Sequence, residues 1–289
     1  MGWAYHFIFL FCLVPFTARS AILGTDDRKD LYQVKDARLR SLALSSAILL
    51  HRSRRYLLPN AAGYRLSSRV KSHAVAENLC SDQRFLTQPT PGYCSAFLVG
   101  SQRLATVAHC VDKDLRNMQV VFGFALTQST DTVRQFRRED VYSVKSIIRQ
   151  DIDGDWAILA LDRPVVGREI FQLRTQGAPA MGEPLAAIGF PNGLPLKVSD
   201  NAQVLESNNA PEDHYLEADL DVFGGSSGAP VVNLKTYEVE GLVSVAFGEH
   251  EGKQGTENGK PCNRLRQMTD PNTWAPVWVV RATLIPPFP

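Results

Sequence analysis

Residues 224–230 read Gly-Gly-Ser-Ser-Gly-Ala-Pro, "GGSSGAP", between the apolar runs "LDVF" and "VVN". Two frames fit these residues. Counted from Ser226, the stretch reads G-x-S-x-G, a sharp strand-to-helix turn that lifts a serine above a sheet whose strands alternate with helices. Counted from Ser227, it reads G-x-S-G-x-P, which belongs to a different fold. Each frame puts the nucleophile on a different serine, and the rest of the chain decides between them.

From Cys80 onward, short apolar runs alternate with turn signals: "AFLVG", "RLATVAHCV", "MQVVFGFAL", "VYSVKSIIR", "WAILALD", then "PLAAIGF", "NAQVLES", "HYLEADLDVF", "EVEGLVSVAF" and "PVWVVRATLI". Runs of four to eight residues rich in Val, Ile, Leu and Phe, separated by Gly, Pro, Asn or Asp, predict an all-β barrel or sandwich. No series of longer amphipathic helices separates them, as an alternating α/β fold would require. A Pro and Gly cluster at 164–184 divides the β region into two comparable halves. No internal repeat of fixed period is evident. Ahead of Cys80, residues 21–40 read as a polar arm and 41–50 as a possible first strand. The basic run "HRSRR" (51–55) fits a processing site in a pro-segment or a solvated loop. Residues 59–79 read as loop with a possible short helix.

Acyl transfer by serine needs a positioned hydroxyl, a base to take its proton, a group to hold that base, and N–H donors facing the developing oxyanion. Three stretches supply these parts in order. "LATVAHC" sets His109 at the end of an apolar run, "DGDWAILALDRP" sets Asp155 before a strand, and "GGSSGAP" supplies the serine. The elbow frame places its histidine after the serine, in the order Ser, Asp, His. Beyond Ser226 stands only His250, in the polar loop "GEHEGKQGTENGK". Chain order and strand pattern therefore favour Ser227. His51, His73, His214 and His250 read as surface or loop residues.

"TVAHC", "DWAILALDRP", "GGSSGAP" and "GLVSVAF" together resemble the chymotrypsin-like (trypsin-like) serine peptidases. The arm "AILGTDDR" and the loop "IGFPNGLP" (188–195) are similar to the bacterial branch that includes the glutamyl endopeptidases. The resemblance covers most of residues 80–250 and, more weakly, 21–50. It implies two six-stranded antiparallel β-barrels with an N-terminal extension, and a peptidase domain over 80–289. It implies His109 as general base, Asp155 as its orienting carboxylate, Ser227 as nucleophile, and the N–H groups of Gly225 and Ser227 as oxyanion hole. Ser244, with Val245 and Ala246 after it, matches the strand that pairs with the substrate backbone, a mode that supplies affinity without side-chain selectivity. An inactive homologue acting as a binding module, or an esterase, are the alternative functions.

The chain departs from the resemblance in places. Ser226 stands where trypsin and its close relatives carry the Asp that pairs with a new N-terminus after activation. Asp221, six residues before Ser227, matches an acid at the base of the specificity pocket, which favours cleavage after Arg or Lys. Val243 stands where the glutamyl endopeptidases carry a histidine. Asp219 and Asp221 alternate along one strand, so either also fits a structural carboxylate, and Phe223 adds bulk nearby.

The first residues, "MGWAYHFIFLFCLVPFTARSA", have an apolar centre and small residues at Ala18 and Ser20, which predicts a signal peptide over 1–20 and an exported chain, secreted or periplasmic. Its apolar run falls short of the roughly 20 residues that span a bilayer, so no stable membrane anchor is expected. Beyond that segment remain Cys80, Cys94, Cys110 and Cys262, an even number that suggests two disulfides with three pairings open. The resemblance pairs Cys94 with Cys110, around the loop of the catalytic histidine, and leaves Cys80 for Cys262. No C-x-x-C and no phosphate-cradling glycine motif occurs, and the formal net charge is +1. The expectation is a monomer with protein or peptide substrates, no nucleic-acid partner, and neither metal nor organic cofactor.

Overall fold

The apolar runs fold as strands. The computed structural model describes residues 22–207, 213–246, 254–270 and 276–286. The expected signal peptide (1–20) and His250 lie outside the described residues. The first barrel contains β1 (Ser46–His51), β2 (Cys94–Gly100), β3 (Arg103–Thr106), β4 (Met118–Phe122), β5 (Val141–Asp151) and β6 (Trp156–Leu161). They close in the order β5-β6-β3-β2-β1-β4. The second contains β7 (Pro184–Gly189), β8 (Lys197–Glu206), β9 (Tyr215–Ala218), β10 (Pro230–Asn233), β11 (Val239–Ala246) and β12 (Val277–Arg281). Their order is β7-β10-β11-β12-β9-β8, and the β7–β8 pairing closes the ring. Numbered from one to six within each barrel, both sets run in the same circular order, so one antiparallel topology is used twice. Closure removes the free edges that an open sheet of Val- and Leu-rich strands would expose. This is the all-β, two-barrel architecture expected from the sequence.

Inward side chains fill each barrel. Phe97, Phe122 and Ile158 are buried in the first, and Leu185, Leu216, Val231 and Val279 in the second. Residues 162–183 join β6 to β7 with one isolated bridge, Leu173 to Val239. β1 lies ahead of residue 80, so the first barrel draws on the segment read as arm or first strand. That strand starts later than position 41, because a helix comes first. In α1 (Ala37–Ala43), Asp36 accepts the N–H of Leu39 as N-cap, and Leu39, Leu42 and Ala43 are buried at helical spacing. Residues 59–79, expected as loop with a short helix, hold the helix His73–Ala76 but also most of a hairpin, Leu57–Asn60 with Gly63–Leu66. Two disulfides, Cys80–Cys262 and Cys94–Cys110, match the expected pairing. Among the described residues no helix is long and apolar enough to cross a membrane.

Candidate active site

The two barrels meet at the "GGSSGAP" turn, and its backbone decides which serine faces out. Ser226 is buried, its hydroxyl accepting the N–H of Phe223 inside the turn (3.3 Å). Ser227 stays partly exposed. Gly228, at φ +84°, completes the turn where a Cβ would stand 2.2 Å from the Ser95 carbonyl oxygen and 2.3 Å from Thr106 Oγ1. Alanine there meets two obstacles, a left-handed backbone costing about 1–2 kcal/mol and overpacking costing about 1–3 kcal/mol. Gly228→Ala is therefore expected to lower unfolding free energy by roughly 2–5 kcal/mol in a urea titration. An unchanged midpoint would show that the turn relaxes freely.

His109 sits in a single helical turn, Ala108–Cys110, directly after β3. Its Nδ1 lies 3.0 and 2.9 Å from the two carboxylate oxygens of Asp155, and its backbone N–H donates to Oδ1 at 3.0 Å. Ser244 Oγ, on β11, donates to Asp155 Oδ2. Burial works to raise the Asp155 pKa, but the hydrogen bonds from His109 and Ser244 outweigh it and hold the carboxyl below its usual range. Ser227 Oγ donates to the Ser244 carbonyl at 3.5 Å and, among the described residues, makes no hydrogen bond with His109. The turn that carries His109 nevertheless packs against the serine turn, with the Ser227 carbonyl oxygen 3.7 Å from Cys110 Sγ.

The peptide planes of the turn are pinned from outside. Asn192 N–H donates to the Gly224 carbonyl and Ser95 Oγ donates to the Gly225 carbonyl at 2.7 Å. In a trans peptide the N–H points opposite to the carbonyl, so the Gly225 N–H faces away from Asn192. The Ser226 carbonyl accepts from Ala229, which turns the Ser227 N–H to the opposite side in the same way. Among the described residues neither N–H has a protein acceptor. Gly225 holds φ +90°, and a Cβ there would stand 2.6 Å from the Phe190 carbonyl oxygen. Only glycine fits that backbone and that space.

Several of these supports escape sequence reasoning. Ser95 is fully buried on β2 of the first barrel, yet it holds the turn of the second. Its Oγ also accepts the Phe190 N–H and its own N–H donates to the Ser227 carbonyl. His73, expected at the surface or in a loop, is fully buried, with Nε2 3.1 Å from Asn192 Nδ2. A single serine beside a disulfide cysteine, at the start of an apolar run, gives no local sign of such duty.

Asp221 corrects the pocket expectation. It is 3% exposed, and both its oxygens are taken by the N-terminal arm: Leu23 N–H donates to Oδ1 at 2.7 Å and Asp27 N–H to Oδ2 at 3.0 Å. Burial, then the nearby Asp27 carboxylate, push its pKa up to about 7. The arm continues as Arg28, fully buried against Asp26 (2.8 Å) and the Phe223 ring, and as Asp30, paired with buried Lys197 at 2.6 Å. Burial lowers the Lys197 pKa to about 8, with Asp30 opposing that shift. Buried charges need such partners. Asp221 thus anchors the arm beneath the turn and does not lie open toward a cationic side chain. Val245 and Ala246 fall on β11 after Ser244, in register with Trp278 and Val277.

Two groups have metal-ligand spacing, Cys94/His109/Cys110 and Cys80/Glu257/Cys262. Each is built around a disulfide, whose sulfurs offer no thiolate.

A serine, a histidine held by a half-buried carboxylate and two N–H groups on a strand-to-strand turn, between two six-stranded barrels, describe the class of serine peptidases. Residues 94–242, just over half of the chain, match the family model "Trypsin-like peptidase domain", and the chain belongs to that family. Among solved structures, the chain is similar to the serine endoprotease from Yersinia pestis, with a TM-score of 0.50 and 13% identity over 87% of this chain and 65% of that one. This chain thus spans about two thirds of the length of that protein. It is also similar to HBP, with a TM-score of 0.50 and 15% identity over 89% of this chain and 91% of that one. A protease from M. tuberculosis in its active form aligns with a TM-score of 0.49 and 14% identity over 91% of this chain and 86% of that one. For the first two, at these identities, the likeness is one of fold alone.

Proposed function

We propose that this protein is a secreted serine endopeptidase that works through an acyl-enzyme, with Ser227 as nucleophile, His109 as general base and Asp155 as the group that orients it. The observation that carries the reading is the linked set His109–Asp155–Ser244–Ser227 beside the two outward N–H groups. Rotation of Ser227 about its Cα–Cβ bond carries Oγ from the Ser244 carbonyl toward His109 Nε2. His109 takes the hydroxyl proton as Oγ attacks the scissile carbonyl. The resulting oxyanion accepts from Gly225 and Ser227 N–H. His109 then returns the proton to the leaving amine, and water repeats the sequence to release the acid. Substrate backbone adds alongside Ser244–Ala246. Two disulfides and a leader over 1–20 fit export to an oxidising compartment. A preference for Arg or Lys loses its support, because the arm holds both oxygens of Asp221. Kinship with the glutamyl endopeptidases rests on the arm and on "IGFPNGLP", while Val243 stands against it.

The test is a fluorophosphonate probe followed by mapping of the labelled residue. Label on Ser227 that vanishes in His109→Ala is expected. Label on Ser226 would reverse the choice of frame. No label on the folded protein, before and after limited proteolysis, would leave a binding module.

A further inference from the structure

Charge along this chain is unevenly placed. Residues 51–71 carry Arg52, Arg54, Arg55, Arg65, Arg69 and Lys71 and no acid, and residues 134–138 add Arg134, Arg137 and Arg138. The formal net charge of the whole chain is only +1, so the remainder is acidic on balance. The fold brings the two basic stretches together. The strand Gly63–Leu66 pairs on one side with Leu57–Asn60 and on the other with Gln135–Phe136. Leu66 N–H donates to the Arg134 carbonyl, and Arg138 reaches the Asn60 carbonyl. All nine cationic side chains are exposed. Arg137 pairs with Glu139 and Asp140; the other eight have no acidic partner among the described residues. Beside them lies a cavity of about 440 Å³ lined by Arg52, Tyr64, Arg138 and Arg163, with Glu139 and Asp162 already engaged by Arg137 and Arg163.

This face is joined to the rim of the candidate site. Arg52 follows His51, the last residue of β1, whose ring stacks on Tyr93 at 3.9 Å. The Tyr93 hydroxyl donates to the carbonyl of Cys110, next to His109. Guanidinium groups present planar forks that match carboxylates, and unpaired exposed cations attract anions over about 10 Å at moderate salt. The large apolar side chains exposed elsewhere, such as Ile152 and Val166, have no counterpart here to enter a membrane. Tyr56 and Tyr64 are half-buried, which leaves no aromatic platform for nucleobases. Strands of four residues span roughly 13 Å, a patch sized for a few residues and not for a long polysaccharide. We propose that this face is an exosite for a segment of the protein substrate rich in Asp and Glu, held beside the cleft while another segment is cut. The proposal rests on the peptidase reading for the word substrate, and on charge and placement for the binding.

The test uses the full chain carrying Ser227→Ala, to prevent turnover, and a fluorescein-labelled glutamate-rich peptide with its glutamine counterpart. Anisotropy is expected to show the glutamate peptide binding about tenfold more tightly than the glutamine one, with affinity falling about tenfold between about 50 and about 300 mM salt. Combined Arg54→Glu, Arg55→Glu and Arg134→Glu should cost about tenfold or more, and the corresponding glutamine variants about threefold, since each exposed pair contributes little alone. Equal binding of the two peptides, or unchanged affinity in both sets of variants, would overturn the exosite. So would tighter binding of a heparin oligosaccharide or of phosphatidylserine vesicles than of the glutamate peptide. Probe labelling of Ser227 in the unsubstituted chain separates the two readings. Label without peptide binding sinks the exosite alone. Binding without label keeps the anion-binding face and sinks its link to cleavage.

Discussion

With Asp155 as the group that orients His109, Asp155→Asn is expected to lower kcat/KM by about four orders of magnitude while leaving the melting temperature nearly unchanged. The size follows from where the proton on His109 must sit. To accept from Ser227, Nε2 must be bare, so Nδ1 must carry the hydrogen and donate it to an acceptor. Asp155 offers acceptor oxygens on both sides, at 3.0 and 2.9 Å from Nδ1. Asparagine replaces one of them with an NH2 group, and because both positions reach Nδ1, either orientation sets a donor against the ring. A donor there draws the hydrogen to Nε2, the tautomer that cannot act as base. The carboxylate also accepts from Ser244 Oγ and from the His109 backbone. Those contacts tolerate an amide, so the fold survives. The measurement is the rate of probe acylation and of peptide hydrolysis in both proteins, with thermal melts beside them. A loss below about tenfold would place Asp155 outside the reaction, since an orienting carboxylate in this arrangement contributes far more.

The sequence is legible where chemistry is local and opaque where it is not. "TVAHC", "DWAILALDRP" and "GGSSGAP" are short because each has to form its own turn or strand end, and strand alternation announced the barrels. Chain order and strand pattern together choose the serine frame; in the structure Ser226 is buried and Ser227 partly exposed. The spacing of Asp221 to Ser227 points to a pocket, but its duty comes from Leu23, 198 positions away, which no local pattern can report. Ser95 is in the same position, one buried serine in a strand whose partner turn lies 130 residues on. The hairpin over residues 57–66 carries no local signal for another reason. Its turn is Asn60-Ala61-Ala62-Gly63, without the Asn-Gly or Asp-Gly centre that usually betrays a two-residue loop. The helix Ala37–Ala43 is hard to read because its last residues, Ser41–Ala43, run into the mostly apolar stretch "SLALSSAILL" that also holds the strand from Ser46, and only the Asp36 cap marks where the helix begins.

Removing the two disulfides separates stability from activity. Cys80–Cys262 spans 182 residues, and in the chain-entropy treatment a loop of that length contributes about 5 kcal/mol. Cys94–Cys110 spans 16 and contributes about 3 kcal/mol. Cys80→Ala with Cys262→Ala is therefore expected to lower the melting temperature by roughly 10–15 °C, and the second pair by less. Activity at low temperature should rank the other way. The long bridge ties the chain near Asn78 to the hairpin Gln254–Asn263, away from the three residues assigned to the reaction. The short bridge fixes Cys110, which adjoins His109 and packs against the Ser227 carbonyl, to Cys94, the neighbour of Ser95. Without it the turn that carries His109 is free to drift relative to the serine turn, and a displacement of about 1 Å in such a site costs about a hundredfold. Melts and initial rates on both double variants decide the matter. Loss of activity tracking loss of stability in the same order would mean that the Cys94–Cys110 bridge does no positioning, and that the histidine turn is held by its contacts with Asp155 alone.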